Sequence, residues 1–304
     1  MHNRQEWAEG SGLAVALLAL LVTYGLFLVH PWPHTPLNQF LAMFGRNNAA
    51  VWPAQIVWYA VALAVVGLAL RAGRRSSQLA CLLAAAVFAW IGIAYFVWLN
   101  PGMNLSWAWA AVFSLQAALL LVAGVARSDL VFRPRRDPSS VLGAVFISYA
   151  LIVYPVIGLL GGHALRTVPA FGLAPCATVT FFFGLLLWAR PPAPKYLLLM
   201  PLAWALVAAP PDLARGVAAD YGMLVVAVIT AALIIWRDRT ATRQTVTAGL
   251  LLALMIGWSG HDNVVIGLAL VLVGATLAQA IRGRSLPPQP PQLPPLPREK
   301  LEVG

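Results

Sequence analysis

The chain has 304 residues, of which 61% are hydrophobic and only 10% charged, against the roughly one quarter charged that a soluble domain carries. A formal charge of +10 does not make it a nucleic-acid binder, because its basic residues sit in short clusters between apolar segments rather than along one helix face. Its two cysteines, Cys81 and Cys176, fall in separate apolar segments, which excludes a disulfide framework and every zinc-finger spacing.

Along the chain the apolar runs approach the roughly 20 residues that cross a bilayer. They predict an all-α integral membrane bundle of about ten transmembrane helices. The first span is expected at 11–29; its length and the acidic Glu6 and Glu9 before it distinguish it from a signal peptide. Over 35–50, Leu37, Phe40, Leu41 and Phe44 recur at helical spacing beside Asn38, Arg46, Asn47 and Asn48, predicting a short helix lying in the membrane interface. Further spans are expected at 51–70, 78–99, 105–126, 139–160, 167–189, 196–209, 218–236, 245–260 and 263–281, their ends marked by Pro, Gly and Arg. The transmembrane domain then covers 1–284, and the proline-rich 285–304 is expected to be a disordered, extended cytoplasmic tail.

Ten spans put both termini on one side. Of the 20 Lys and Arg residues, 17 fall on that side and only Arg46, Arg166 and Arg215 on the other. Positive charge marks the cytoplasmic face, so the expectation is a multi-pass protein of the bacterial inner membrane with N-in/C-in topology.

No Asp, Glu, Lys, Arg or His falls centrally in a predicted span, so a mid-membrane carboxylate relay is not expected. Polar chemistry gathers instead on the outer side, in His30, His34, His163, His261, Asp212, Asp220, Asp262, Arg166 and Arg215. Pro169 and Pro175 interrupt the sixth span, so its regular helix is predicted to begin near Pro175. Residues 167–174 then form irregular backbone, which only surrounding protein or a watery cavity can shelter. A helix start facing a cavity attracts polar groups, and Thr178 and Thr180 add hydroxyls. Cys176 lies in that first turn, where the helix dipole favours a thiolate; the structural alternative is a small buried apolar residue.

The expected ligand site is therefore the start of the sixth span together with the turn 258–263. Its candidate residues are His163, Arg166, Pro175, Cys176, Thr178, His261 and Asp262. His163, Cys176, His261 and Asp262 are the candidate metal ligands, although their spacing matches no established metal motif. Beyond such an ion no cofactor is predicted.

The AVWPAQIV run at 50–57, the Gly161-Gly-His163 element and the run FGLAPCA leading into FFFGLLL resemble an uncharacterised bacterial integral-membrane family, a domain of unknown function. The resemblance extends over about residues 37–281. It implies a membrane protein and assigns no activity. Similar sequences more often read Pro-Cys-Pro where this chain has Pro175-Cys176-Ala177.

No GxSxG, HExxH, Walker A loop or dinucleotide fingerprint is present, which disfavours the common hydrolases, proteases, NTPases and dehydrogenases. Ten helices, a broken sixth span and no large catalytic domain point to a permease-like protein that handles a small solute from the extracytoplasmic side. Two alternatives stand beside it. One is a membrane enzyme or metal-handling protein using outer-face His, Asp and Cys groups; the other is a non-catalytic membrane subunit that recruits a cytoplasmic partner through its proline-rich tail. The expected partners are the lipid bilayer, a small solute and that tail-binding partner, with no nucleic acid.

Overall fold

A computed structural model describes residues 37–103, 106–160, 164, 167–215, 217 and 219–237. Helices α1 (Leu37–Val51) and α2 (Ala54–Leu70) meet at 88°. The break falls at the cis Trp52–Pro53 bond, and a proline cannot donate to the preceding turn. On α1 the buried residues are Phe44, Asn47, Asn48 and Val51, which share one helix face. That face carries two polar ties: Asn47 Nδ2 donates to Asn100 Oδ1 (3.2 Å) and Asn48 Nδ2 donates to the Val168 carbonyl (2.9 Å). Helix α1 is thus the short amphipathic element expected over 35–50, laid across the ends of neighbouring segments.

Three long helices follow: α3 (Arg74–Leu99), α4 (Ser106–Ala126) and α5 (Pro138–Leu160). Each contains π-helical turns, over Ile91–Leu99, Leu121–Ala126 and Tyr149–Val153. Helix α5 starts where its sequence says it should, with Asp137 as N-cap accepting from the Ser140 N–H (3.0 Å) and Pro138 in the first turn. The remaining helices are α6 (Pro175–Leu187), α7 (Leu199–Ala214), entered through a 3-10 turn at Lys195–Leu198, and α8 (Ala219–Arg237). Among the described residues there is no strand, only an isolated antiparallel bridge between Phe132 and Ala189.

Helix α6 is apolar all round, and a helix of that kind must be enclosed. Every one of its residues is buried. Helix α5 approaches it at Gly143 and Gly184, where a Cβ on Gly184 would lie 2.6 Å from the Gly143 carbonyl oxygen. From α3, Phe88 meets Phe182 edge-on at 5.1 Å, and α7 and α8 close the other sides. Trp204 of α7 is held by Phe96, Trp109 and Phe113 at ring-centroid distances of 5.6, 4.9 and 5.4 Å. Gln116 Nε2 donates to the Leu197 carbonyl (3.1 Å), tying α4 to the turn that opens α7.

Outward, the surface stays apolar, with Ile56, Leu63, Ile93, Val97, Val145 and Ile152 exposed. So much exposed aliphatic surface fits lipid rather than water. Helices α3, α4 and α5 are long and apolar enough to cross a membrane, and the bent pair α1–α2 makes a fourth if it is one span. Among the described residues the fold is all-helical, and the apolar length of α3, α4 and α5 suggests membrane association.

The ten spans expected from the sequence are not reached by these helices. The spans at 11–29, 245–260 and 263–281, and the tail 285–304, lie outside the described residues. The sixth, expected over 167–189, is helical only over Pro175–Leu187, because Pro169 and Gly172 (φ 77°) hold 167–174 out of the helix. The seventh, expected over 196–209, is helical throughout, from the 3-10 turn at Lys195–Leu198 into α7, with its apolar part over Tyr196–Ala209, and the helix continues to Ala214.

Two outcomes follow from this packing. Gly184→Val, which would drive its side chain into the Gly143 backbone, should lower the unfolding free energy of the full-length protein in detergent by about 1–3 kcal/mol. Gly67→Ala, where a Cβ meets nothing within 4 Å, should not lower it.

At the start of α5, partial burial of Asp137 raises its pKa, but the Ser140 N–H and the Arg190 guanidinium (2.8 Å) more than offset this and hold it below the ordinary 3.8. A depressed carboxylate pKa contributes stability that is present above the unfolded pKa and lost as pH falls through the folded one. Thermal midpoints should therefore drop below about pH 4, and Asp137→Asn, which keeps a capping side chain, should flatten that acid limb.

Candidate functional site

The first turn of α6, the end of α7 and the first turn of α8 meet at one place, and each brings one reactive side chain: Cys176, Asp212 and Asp220. The turn between α7 and α8 is closed by Val217 N–H donating to the Asp212 carbonyl (2.9 Å) and Asp220 N–H donating to the Val217 carbonyl (3.1 Å). It thereby brings the two carboxylates to the same end of α6. One ligand atom from each of the three lies within 4.8 Å of the others. All three are buried, with exposures of 6%, 6% and 1% for Cys176, Asp212 and Asp220.

Each acid has a donor. Tyr154 Oη donates to Asp220 Oδ1 (2.7 Å). Tyr154 is brought there by the π turns of α5, in which its N–H donates to the Tyr149 carbonyl, so both tyrosines face the start of α8. Tyr149 Oη donates to the Ala219 carbonyl (2.8 Å) next door. Asp212 Oδ1 accepts from Arg215 Nη1 (2.7 Å), and the Arg215 guanidinium sits over the Phe40 ring of α1 at 5.0 Å. The buried Nε1–H of Trp204 has no acceptor in hydrogen-bonding geometry, and it faces the Cys176 sulfur. Tyr95 lies within electrostatic range of all three groups.

Like charges this close inside protein repel strongly, because little water is present to screen them. One guanidinium offsets one carboxylate. The ionised site therefore keeps a negative excess that a cation would neutralise.

Of the residues singled out by sequence, Pro175 is the first residue of α6 and Cys176 follows it, as expected from the helix start. Thr178 Oγ1 accepts from the Gly172 N–H (3.0 Å) and donates to the Ala174 carbonyl (3.1 Å), and Thr180 donates to the Cys176 carbonyl (2.8 Å). Both hydroxyls are engaged by backbone: Thr178 braces the irregular 167–174, and Thr180 bonds back within α6. His163, Arg166, His261 and Asp262 lie outside the described residues. The two cysteines are free, as expected.

The described residues bring to Cys176 two acids that the sequence had not grouped with it. The sequence placed both acids on the outer side, Asp212 between two expected spans and Asp220 near the start of the span at 218–236; both are in helices and buried. The available signal was Asp220 directly before the apolar run of α8, a first-turn position that favours an acid. Tyr154 and Trp204, set within apolar helices, gave no comparable sign.

Residues 37–245 match a family of unknown function (DUF6064), and with more than half of its length matched the chain belongs to that family. The match bears out the resemblance seen in the sequence, though it ends at 245 where the resemblance was drawn to 281. Cys176, Asp212, Asp220, Tyr154 and Trp204 all fall inside the matched segment. No curated protein and no solved structure matches the chain.

Burial makes a direct forecast for the thiols. In native protein a water-soluble maleimide should leave both Cys81 and Cys176 essentially unmodified, and both should react once the protein is unfolded in SDS. Rapid native labelling of Cys176, read by peptide mass spectrometry, would mean that the site stands open to water.

Proposed function

We propose that this member of the family is a permease-like membrane protein that takes a small positively charged solute from the extracytoplasmic side into the Asp212–Asp220–Cys176 cluster. One observation carries the reading. Two buried carboxylates lie together in an otherwise apolar bundle, and the guanidinium of Arg215 pairs with only one of them, Asp212. Such an arrangement is costly unless something positive occupies it.

The surroundings suit transport. Irregular backbone at 167–174 leads into α6 and the cluster, as discontinuous helices do where solutes bind within membranes. Helix α1 crosses the same end, with Phe40 over Arg215 and Asn48 bonded to Val168. In this reading α3–α5 span the bilayer and the other apolar segments complete a ten-span, N-in/C-in protein of the inner membrane, oriented by its Arg and Lys residues.

Purified full-length protein in liposomes tests it against a panel of potassium, methylammonium, calcium and zinc ions, each followed by an internal fluorescent reporter. At least one cation should enter only when protein is present. Asp220→Asn should slow that entry by about tenfold or more, as expected for removal of one charge from a buried set. Monodisperse protein that moves none of them, or full uptake by Asp220→Asn, would refute the reading.

A further inference from the structure

We propose that Cys176, Asp212 and Asp220 are the protein ligands of one divalent cation of the zinc class, bound where α6, α7 and α8 meet. The inference names the solute class of the site above. It rests on that reading for transport alone, and metal binding stands independently of flux.

The donor set decides the class of ion. A thiolate disfavours magnesium and calcium, which take oxygen ligands, whereas one sulfur with two carboxylates suits a borderline ion such as zinc or cobalt. Ligand bonds of about 2.0–2.3 Å place the donor atoms of a tetrahedral zinc site about 3.3–3.8 Å apart. The three atoms here lie within 4.8 Å, so a contraction of about 1 Å closes the site. Charge agrees: the ionised ligands carry three negative charges and Arg215 one positive, leaving two for the ion. A monovalent ion would leave net charge buried in an apolar bundle.

The surrounding shell is already arranged. Asp220 Oδ1 is held by Tyr154 Oη and Asp212 Oδ1 by Arg215 Nη1, both at 2.7 Å, and each carboxylate has a second oxygen besides. Donors of this kind orient metal-ligating carboxylates.

Trp204 supplies an independent observation. It is 7% exposed, its Nε1–H reaches no acceptor in good hydrogen-bonding geometry, and what it is directed at is the Cys176 sulfur in the cluster. A neutral thiol is a poor acceptor, so a buried indole N–H left facing one is costly. A metal-bound thiolate removes that cost by accepting the hydrogen bond. Three protein ligands also leave a fourth position open, as in sites that exchange water or substrate rather than purely structural ones.

Cobalt is the probe, because a cobalt–thiolate bond has a near-ultraviolet charge-transfer band that histidine and carboxylate sites lack. Metal-stripped full-length protein in detergent should bind one Co2+ per chain with that band, and zinc should displace it while excess magnesium or calcium does not. Cys176→Ser should abolish the band and Cys81→Ser should keep it. Asp212→Asn and Asp220→Asn should each weaken cobalt binding by about tenfold or more, and Tyr154→Phe by about 10–100-fold, in protein that remains monodisperse. No band in folded protein, a band that survives Cys176→Ser, or affinity unmoved by both Asp variants overturns the assignment. If the band appears as described but no cation crosses liposomes, the site stands and the permease reading falls. If a different cation is transported while cobalt and zinc do not bind, the permease reading stands and this assignment falls.

Discussion

Enclosure of α6 on every side organises the rest of the molecule. With no residue left at a surface, the helix needs close neighbours all round, and it has them in the glycine contact with α5, the Phe88–Phe182 edge contact with α3, and the flanks of α7 and α8. A helix so fixed also fixes its ends. Its first turn must satisfy the approaching backbone without water, and it does so through Thr178 with Gly172 N–H and through the Ala174 N–H donating to the Ala170 carbonyl (2.7 Å). Asn48 of α1 takes the Val168 carbonyl from the other side. Cys176 is delivered to the junction of α7 and α8 as a consequence of this packing.

How much of this was legible in the sequence depends on the range of the signal. Helix starts at Pro138 and Pro175 were readable because a proline in the first turn acts locally. The amphipathic stripe of α1 was readable for the same reason, and its partners Asn100 and Val168 were not. Apolar length alone draws the sixth span over 167–189, but the prolines in its outer part correct that to a helix from Pro175; the positive φ of Gly172 that helps hold 167–174 out of the helix had no such marker. The burial of Asp212 and Asp220 was not legible for a different reason. Their place at the outer ends of apolar segments says nothing about enclosure, which here depends on α7 and α8 meeting the start of α6.

The chain uses the same residue types in two ways, and the comparison separates structure from function. At the start of α5, Asp137 caps the helix, pairs with Arg190 and accepts from Ser140, while both charged side chains keep contact with solvent. Arg190 also donates to the Leu187 and Ala189 carbonyls, so the pair fastens the end of α6 to α5. Each charge there has its partner, and the arrangement explains itself as an anchor.

The Asp212–Asp220 pair does not explain itself in that way. It stacks a second acid against an existing ion pair, buries both, and leaves Arg215 Nε and Trp204 Nε1 without acceptors. Buried ion pairs are weak sources of stability even when complete, and apolar residues of similar size commonly do as well or better. An incomplete one stabilises less still. The π turns of α5 that aim Tyr154 at Asp220 add to this, since such turns interrupt regular helix bonding and often occur at functional sites. A stability role would call for removing the second acid; a binding role calls for keeping it, with its donors placed and its charge unspent.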